Sequence, residues 1–259
     1  MSKKNRALFP FAHRPLLFGH RGCSIAAPEN TMPAFQRILD HQIPGVELDV
    51  HICKTGELVV THDRNLQRVT GLDSLVEETE YETIAELDAG SWFGEEFRGE
   101  KVPLLDDVFD LLGDKVYYDI EIKHRLRKCG PLEKKLVDRV KRRGMSERVM
   151  LSSFNPFSIK EVRRLDKTLL TAVIYSKHKE LPWIFHNGEG RFIGKPHVLK
   201  PSRHKTNRRT MFLKGTLGGY PIIPWTIDEV EEARNFLSLG VSGIISDIPE
   251  KLLPLLHTV

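Results

Sequence analysis

Two stretches of the chain have strand periodicity in which charges, not neutral polar residues, separate the apolar ones. In Gly45–Asp63, GVELDVHICKTGELVVTHD, Val46, Leu48 and Val50 alternate with Glu47 and Asp49, the two-residue period of a β-strand. In VYYDIEIK, Val116, Tyr118, Ile120 and Ile122 alternate with Tyr117, Asp119, Glu121 and Lys123. A single pair of carboxylates spaced i, i+2 usually marks a solvated edge face. Two such strands set among helical stretches fit another arrangement, with the apolar face under helices and the charges on the inner wall of a parallel barrel. Lys54-Thr55-Gly56-Glu57 is a turn signal, and Leu58–Thr61 resumes as a short arm. Folding back about that turn brings His62 opposite Asp49, so that two carboxylates and an imidazole share one small volume.

The rest of the chain alternates accordingly. PLLFGH (15–20) reads as a first strand ending in His20-Arg21-Gly22, where glycine permits a tight or left-handed turn. Pro28 and Thr31 open a helix with Met32, Phe35, Ile38 and Leu39 on one side. Strand, helix, strand with short connections predicts parallel pairing. Helices are expected over 104–112, 132–143, 156–165 and 228–239, with Asp106 and Asp107 at the positive end of the first and Asp228 as N-cap of the last. Strands fall near 16–20, 45–51, 116–122, 148–153, 169–175, 196–200, 221–226 and 242–246. That count predicts a (β/α)8 TIM barrel formed by one domain spanning 1–259, with a small capping insertion at about 54–103 after the second strand. Lys177–Gly219 breaks the alternation: it is rich in Lys, Arg and His, with Trp183, Phe185, Phe192 and Phe212 interspersed. It reads as a solvated loop or lid anchored by a few Phe.

A net charge of +4 and pI near 8.9 suit an anionic small-molecule substrate and are far too weak to argue for nucleic acid. MSKKNRALFPFAHRP has no secretory apolar core and no segment reaches transmembrane length, so stable membrane insertion is not expected. Cys23, Cys53 and Cys129 lack paired spacing, which points to a reduced, cytoplasmic setting. Cys23 and Cys53 read as small packing residues. Homo-oligomers stay open.

In such barrels the active site lies at the C-terminal ends of the strands. His20 and Arg21, Glu47 and Asp49, Glu121 and Lys123, and Trp225 fall there, and the insertion supplies His62. Three carboxylates without a cysteine or paired-histidine pattern favour a hard divalent cation, Mg²⁺ or Ca²⁺. Arg21 and Lys123 beside a cation call for an anion, and a phosphate satisfies all three. Two histidines could then divide acid and base work. Glu29 is taken as a helix-start residue within pairing reach of Arg21, and His124 and His197 as bystanders near strand ends.

The ordered motifs HRG (His20–Gly22), PENT (Pro28–Thr31), ELDV (Glu47–Val50), VVTHD (Val59–Asp63), LDAGSWF (Leu87–Phe93), EIK (Glu121–Lys123), WTID (Trp225–Asp228) and GIISDIPE (Gly243–Glu250) resemble the glycerophosphodiester phosphodiesterase family over nearly the whole chain. The resemblance implies a TIM-barrel hydrolase that converts glycerophosphodiesters to glycerol 3-phosphate and an alcohol with Mg²⁺ or Ca²⁺. It implies Glu47, Asp49 and Glu121 as metal ligands and His20 and His62 as the acid–base pair. Arg21 and Lys123 would hold the phosphate, and Trp225 would pack on glycerol. The basic segment Lys177–Gly219 departs from the family pattern. A phospholipase acting on lyso- or intact lipids is the competing enzyme reading, marked by an apolar rim around the pocket. A non-catalytic phosphodiester-binding protein is the competing non-enzyme reading.

Overall fold

The computed structural model describes residues 8–9, 15–124, 129–177 and 181–256. Most of the N-terminal stretch lies outside these, as do positions 178–180 of the basic segment. Among the described residues eight strands are formed: β1 (Leu16–His20), β2 (Gly45–Ile52), β3 (Leu58–Val60), β4 (Tyr117–Ile122), β5 (Val149–Ser153), β6 (Leu170–Tyr175), β7 (Val198–Pro201) and β8 (Gly243–Ser246). Seven run in parallel in the order β7-β6-β5-β4-β2-β1-β8, and β3 pairs antiparallel with β2 outside that path. The expected strand at 221–226 makes only isolated bridges to Leu199 and Ser202. Pro221 and Pro224 have no N–H to give a regular ladder. The segment nevertheless closes the ring: Ile223 N donates to Leu199 O, and Ile245 N donates to Pro224 O. The structure is a TIM-type barrel, with its helices between successive parallel strands.

The inverted alternation has the predicted consequence. Val46, Leu48 and Val50 of β2 and Tyr118, Ile120 and Ile122 of β4 pack outward against Phe35, Ile38, Val108, Phe109, Leu136 and Val140 of the surrounding helices. Truncating a fully buried member such as Phe35 to Ala would cost about 3–5 kcal/mol. The lower barrel interior is a separate apolar plug of Leu16, Phe18, Met150, Ala172, Val198, Ile223 and Ile245, with Phe9 stacked on Tyr117 at 4.6 Å beneath. Above this plug the interior turns polar.

Helix boundaries follow local chemistry. The first helix starts at Met32, after Thr31, rather than at Pro28. In the helix Leu105–Leu112, Asp107 accepts from the Leu104 N–H. Asn155 caps Pro156–Leu165 by accepting from Phe157 N. Asp228 does not cap the last predicted helix, which starts at Val230 without a side-chain cap. Its carboxylate instead accepts from Asp247 N at 2.8 Å, holding the turn after β8.

The Lys54–Pro103 stretch builds a cluster of its own from Val59, Leu66, Val76, Ile84, Ala89 and Val102, with Cys53 among them. In Lys177–Gly219 the expected anchoring differs. Phe185 packs beside Tyr175, Leu181 and Ile222, whereas Trp183, Phe192 and Phe212 are exposed. Of the Phe residues in the segment, Phe185 anchors it, and Met211 packs against the same cluster. Among the described residues, no helix is long and apolar enough to cross a membrane.

Candidate active site

Strand register assembles the site. His20 lies beside Glu47, Glu47 beside Asp119, and Asp49 beside Glu121. All four carboxylates point into the barrel and are buried. Glu47, Asp49 and Glu121 each present an oxygen within 4.8 Å of the others. Crowding carboxylates in a low-dielectric interior is unfavourable unless cations accompany them.

Three basic side chains do so. Lys123 Nζ sits 2.9 Å from both Asp49 Oδ1 and Glu121 Oε1. Arg21 Nε is 3.5 Å from Asp49 Oδ2. Lys200, almost wholly buried, reaches Asp119 Oδ2 at 2.5 Å and donates to Ser152 Oγ at 3.0 Å. Burial works against ionisation of Asp49, but Lys123, His62, Arg21 and an Asn30 hydrogen bond at 2.8 Å hold its carboxyl well below the usual range. Glu47 is different. It has the Arg21 backbone N–H at 3.2 Å and His20 Nε2 at 3.9 Å, and among the described residues no Lys or Arg side chain pairs with it. Burial and the adjacent Asp49 push its carboxyl well above the ordinary value. An all-oxygen set in which one carboxylate has no directly paired Lys or Arg side chain suits a hard cation, so the triad could bind a metal ion.

Two imidazoles flank the triad. His20 Nδ1 lies 2.5 Å from Asp247 Oδ1, so the ring N–H donates there and Nε2 is turned toward Glu47. His62 Nδ1 lies 2.8 Å from Asp63 Oδ1. β3 places Thr61 N on Asp49 O at 3.1 Å, so His62 stands one residue past the position facing Asp49. From His62 an ionic chain runs back to the triad. Asp63 pairs with Arg68, Arg68 with Glu29, and Glu29 with Arg21 at 2.9 Å. The His62 hydrogen bond, with Arg68, holds Asp63 below the usual carboxylate range. Glu29 therefore pairs with Arg21, as its position suggested.

His20, Arg21, Glu47, His62, Glu121, Lys123 and Trp225 all line one cavity of about 720 Å³ at the C-terminal ends of the strands. Asp49 lies beneath it, held by Lys123 and Arg21. Trp225 is fixed by its indole N–H on Lys200 O at 3.0 Å and by an edge contact with Phe154 at 5.6 Å. The eight residues singled out from the sequence thus gather in one place. Of the set-aside histidines, His124 lines the cavity and bonds Glu133 at 2.8 Å. His197 contacts Arg163 and Thr171. Cys23 and Cys53 are buried and free, and burial pushes the Cys23 thiol up to about 12.

Sequence reasoning missed four contributors. Asn30 and Asp247 stand inside the quoted PENT and GIISDIPE motifs, so a signal was present. Asp119 was placed on the inward face without a partner. Lys200 had no signal beyond its spacing from Val198. Two residues beside the triad, Arg21 (φ 56) and Asn30 (φ 57), sit in the left-handed region. Such strain persists where the surroundings over-determine it, and functional sites are where it concentrates.

The sequence matches the glycerophosphoryl diester phosphodiesterase family over residues 20–251. It is 36% identical over 246 residues to a glycerophosphodiester phosphodiesterase of Caldanaerobacter subterraneus subsp. tengcongensis, covering 94% of this chain and 98% of that one. A Bacillus altitudinis glycerophosphodiester phosphodiesterase is 30% identical, with 91% and 95% covered. In structure, an Oleispira antarctica phosphodiesterase in complex with the product sn-glycerol-3-phosphate superposes with a TM-score of 0.81 at 24% identity, covering 97% of this chain and 100% of that one. A Thermotoga maritima glycerophosphodiester phosphodiesterase gives 0.74 at 25%, with 94% and 99% covered. On both sequence and fold, the chain belongs to the glycerophosphoryl diester phosphodiesterase family.

Proposed function

We propose that the protein hydrolyses glycerophosphodiesters to sn-glycerol 3-phosphate and an alcohol, in a reaction that depends on a divalent cation and on two histidines. The observation that carries this reading is the meeting of three buried carboxylates within 4.8 Å, with His20 and His62 lining the same cavity. Glu47, Asp49 and Glu121 would hold Mg²⁺ or Ca²⁺, which when bound supplies charge stabilisation to the phosphoryl oxygens. Arg21 and Lys123 lie beside the triad and would bind the remaining phosphate charge. Trp225, fixed at the cavity wall, would pack on the glycerol. The substrate is a small molecule, and no role for nucleic acid is proposed.

The glycerol C2 hydroxyl is the nucleophile of the first step. One histidine takes its proton as the new P–O bond forms. The bond from phosphorus to the alcohol breaks, and the other histidine protonates the departing oxygen. Water then opens the cyclic phosphate with the two roles reversed. Holding the hydroxyl near phosphorus makes the attack intramolecular, a large entropic advantage. Asp247 and Asp63 keep each ring oriented by accepting from its Nδ1–H.

His20→Ala and His62→Ala are each expected to cut turnover of glycerophosphocholine by about 10²–10⁴-fold. Cation binding, followed by calorimetry, should stay near the wild-type value. Near-normal turnover in either variant removes that histidine from the mechanism. A chelator should abolish turnover, with recovery on adding Mg²⁺ or Ca²⁺. A second reading, lysophospholipid hydrolysis, is favoured by the apolar wall of Leu181, Ile184 and Phe185 on the same cavity, with Trp183 79% exposed next to it. Assay of glycerophosphocholine beside lysophosphatidylcholine separates the two. Consumption of the lipid alone would replace the first reading with the second.

A further inference from the structure

A second cavity, of about 920 Å³, opens beside the catalytic one. Tyr175, Ser176 and Lys177 at the C-terminal end of β6 and Ser202 just after β7 contribute to its wall, so it faces the same end of the barrel. Ser176 lines both cavities, which makes them neighbours across one residue. The catalytic cavity mixes acids and bases. This cleft carries Lys177, His204, Lys205, Arg209 and Lys214, and among the described residues no carboxylate lines it.

Two of these lysines are positioned by neutral groups. Lys205 Nζ donates to Asn187 Oδ1 at 2.6 Å. Lys214 Nζ donates to Tyr175 Oη at 3.1 Å and to the Asn187 carbonyl, and lies 4.4 Å from the Tyr175 ring centre. Neither arrangement cancels a charge. Partial burial and then Arg191 bring the Lys214 ammonium down to about 8; burial and Lys177 lower that of Lys205. Glu189 offsets part of this and does not line the cleft. A concave wall of ammonium and guanidinium groups held apart by neutral partners is stabilised by an anion entering among them. Asn207 and Thr210 add neutral polar groups to the same wall.

We infer that this cleft receives a phosphate carried on the alcohol side of the substrate, so that the protein prefers glycerophosphodiesters whose leaving alcohol bears a second phosphate. This rests on the hydrolase reading above and narrows its substrate class. The diester enters the catalytic cavity with its glycerol toward Trp225, and the alcohol extends past Ser176. Water is consumed, the phosphorus–alcohol bond breaks, and the alcohol departs with its own phosphate intact. The cleft binds and does no chemistry.

The test compares glycerophosphoinositol with glycerophosphoinositol 4-phosphate, a pair differing by that one group. Wild-type protein should show kcat/KM about tenfold or more higher for the phosphorylated substrate, expressed in KM. Lys205→Ala/Arg209→Ala should erase the difference while keeping kcat/KM for glycerophosphoinositol within about twofold, which also reports that the variant is folded. Millimolar inorganic phosphate should compete with the phosphorylated substrate in wild type more strongly than in the double variant. Equal kcat/KM for the two substrates in wild type would overturn the inference, as would a preference that survives the double variant. Inorganic phosphate that changes turnover of both substrates alike in wild type but not in the double variant would make the cleft a site for free phosphate and overturn the substrate-side assignment. Absence of turnover with both substrates while glycerophosphocholine is hydrolysed would overturn the inference, and absence of turnover with all three would instead refute the hydrolase reading itself.

Discussion

Replacing Lys200 by Met should destabilise the barrel more than any surface change in the basic segment around it. Lys200 is 2% exposed, and its partner Asp119 is fully buried. The ammonium lies 2.5 Å from Asp119 Oδ2 and 3.0 Å from Ser152 Oγ, while Ser152 itself donates to Asp119 Oδ1 at 2.7 Å. Met fills similar volume, so the loss is chiefly electrostatic. The Asp119 carboxyl is left unpaired in the barrel interior beside Glu121, where burial already pushes it above the usual carboxylate range, so it must protonate or stay charged without a partner. Removing one partner of a buried pair costs about 3–5 kcal/mol. At 2–4 °C per kcal/mol for a chain of this size, the melting temperature should fall by about 6–20 °C. The double variant Lys200→Met/Asp119→Asn removes the stranded charge while its amide oxygen still accepts from Ser152. It should therefore recover most of the loss, giving a coupling of about 2 kcal/mol or more in a double-mutant cycle. Thermal and urea unfolding of the four proteins measure this. Additive losses, with the double variant the least stable of all, would refute the assignment of Lys200 and Asp119 as a mutually dependent pair.

Three further outcomes follow from named contacts. Asp247→Asn removes the carboxylate that orients His20 and should lower kcat about tenfold or more with little change in KM; a pure KM effect would show that Asp247 serves binding instead. Gly22→Ala should cost about 1–2 kcal/mol, since φ is +85 and the added Cβ would meet the Ala34 backbone at 2.8 Å; urea unfolding reads it, and an unchanged midpoint would contradict the close approach. Glu133 is held below its ordinary value of 4.5 because hydrogen bonds from His124 and Ser158 outweigh burial. A depressed carboxylate stabilises the fold above its unfolded-state value and loses that contribution as pH falls through its folded value. The stability gap between wild type and Glu133→Gln should hold from neutral pH down to 4.5 and close below it. A gap unchanged at about pH 3 would show that Glu133 is not held below its ordinary value as described.

The barrel was legible because its pattern is local. Alternating charge and apolar residues in β2 and β4, set among helical stretches, fit strands with helices outside and a charged inner wall. That pattern puts Glu47, Asp49, Glu121 and Lys123 on one wall. His20, Arg21 and His62 followed because the ends of strands converge in a closed barrel. Where two prolines interrupt the ladder, as at 221–226, the sequence still implied a strand but could not say that it would close the ring through isolated bridges.

What depended on tertiary structure was pairing across long separations. The partner of His20 is 227 positions away at Asp247, and Asp119 finds Lys200 across two intervening strands. Asp228 reads as a helix cap by its neighbours, yet its carboxylate holds the turn at Asp247. Strand and helix periods record which way a side chain faces, since that is set by backbone geometry one or two residues away. Which charge meets which is set by closure of the barrel, and no local spacing encodes it. The same holds for the basic cleft: its lysines are visible in the sequence as a run of charge, and only the fold makes them the wall of a cavity.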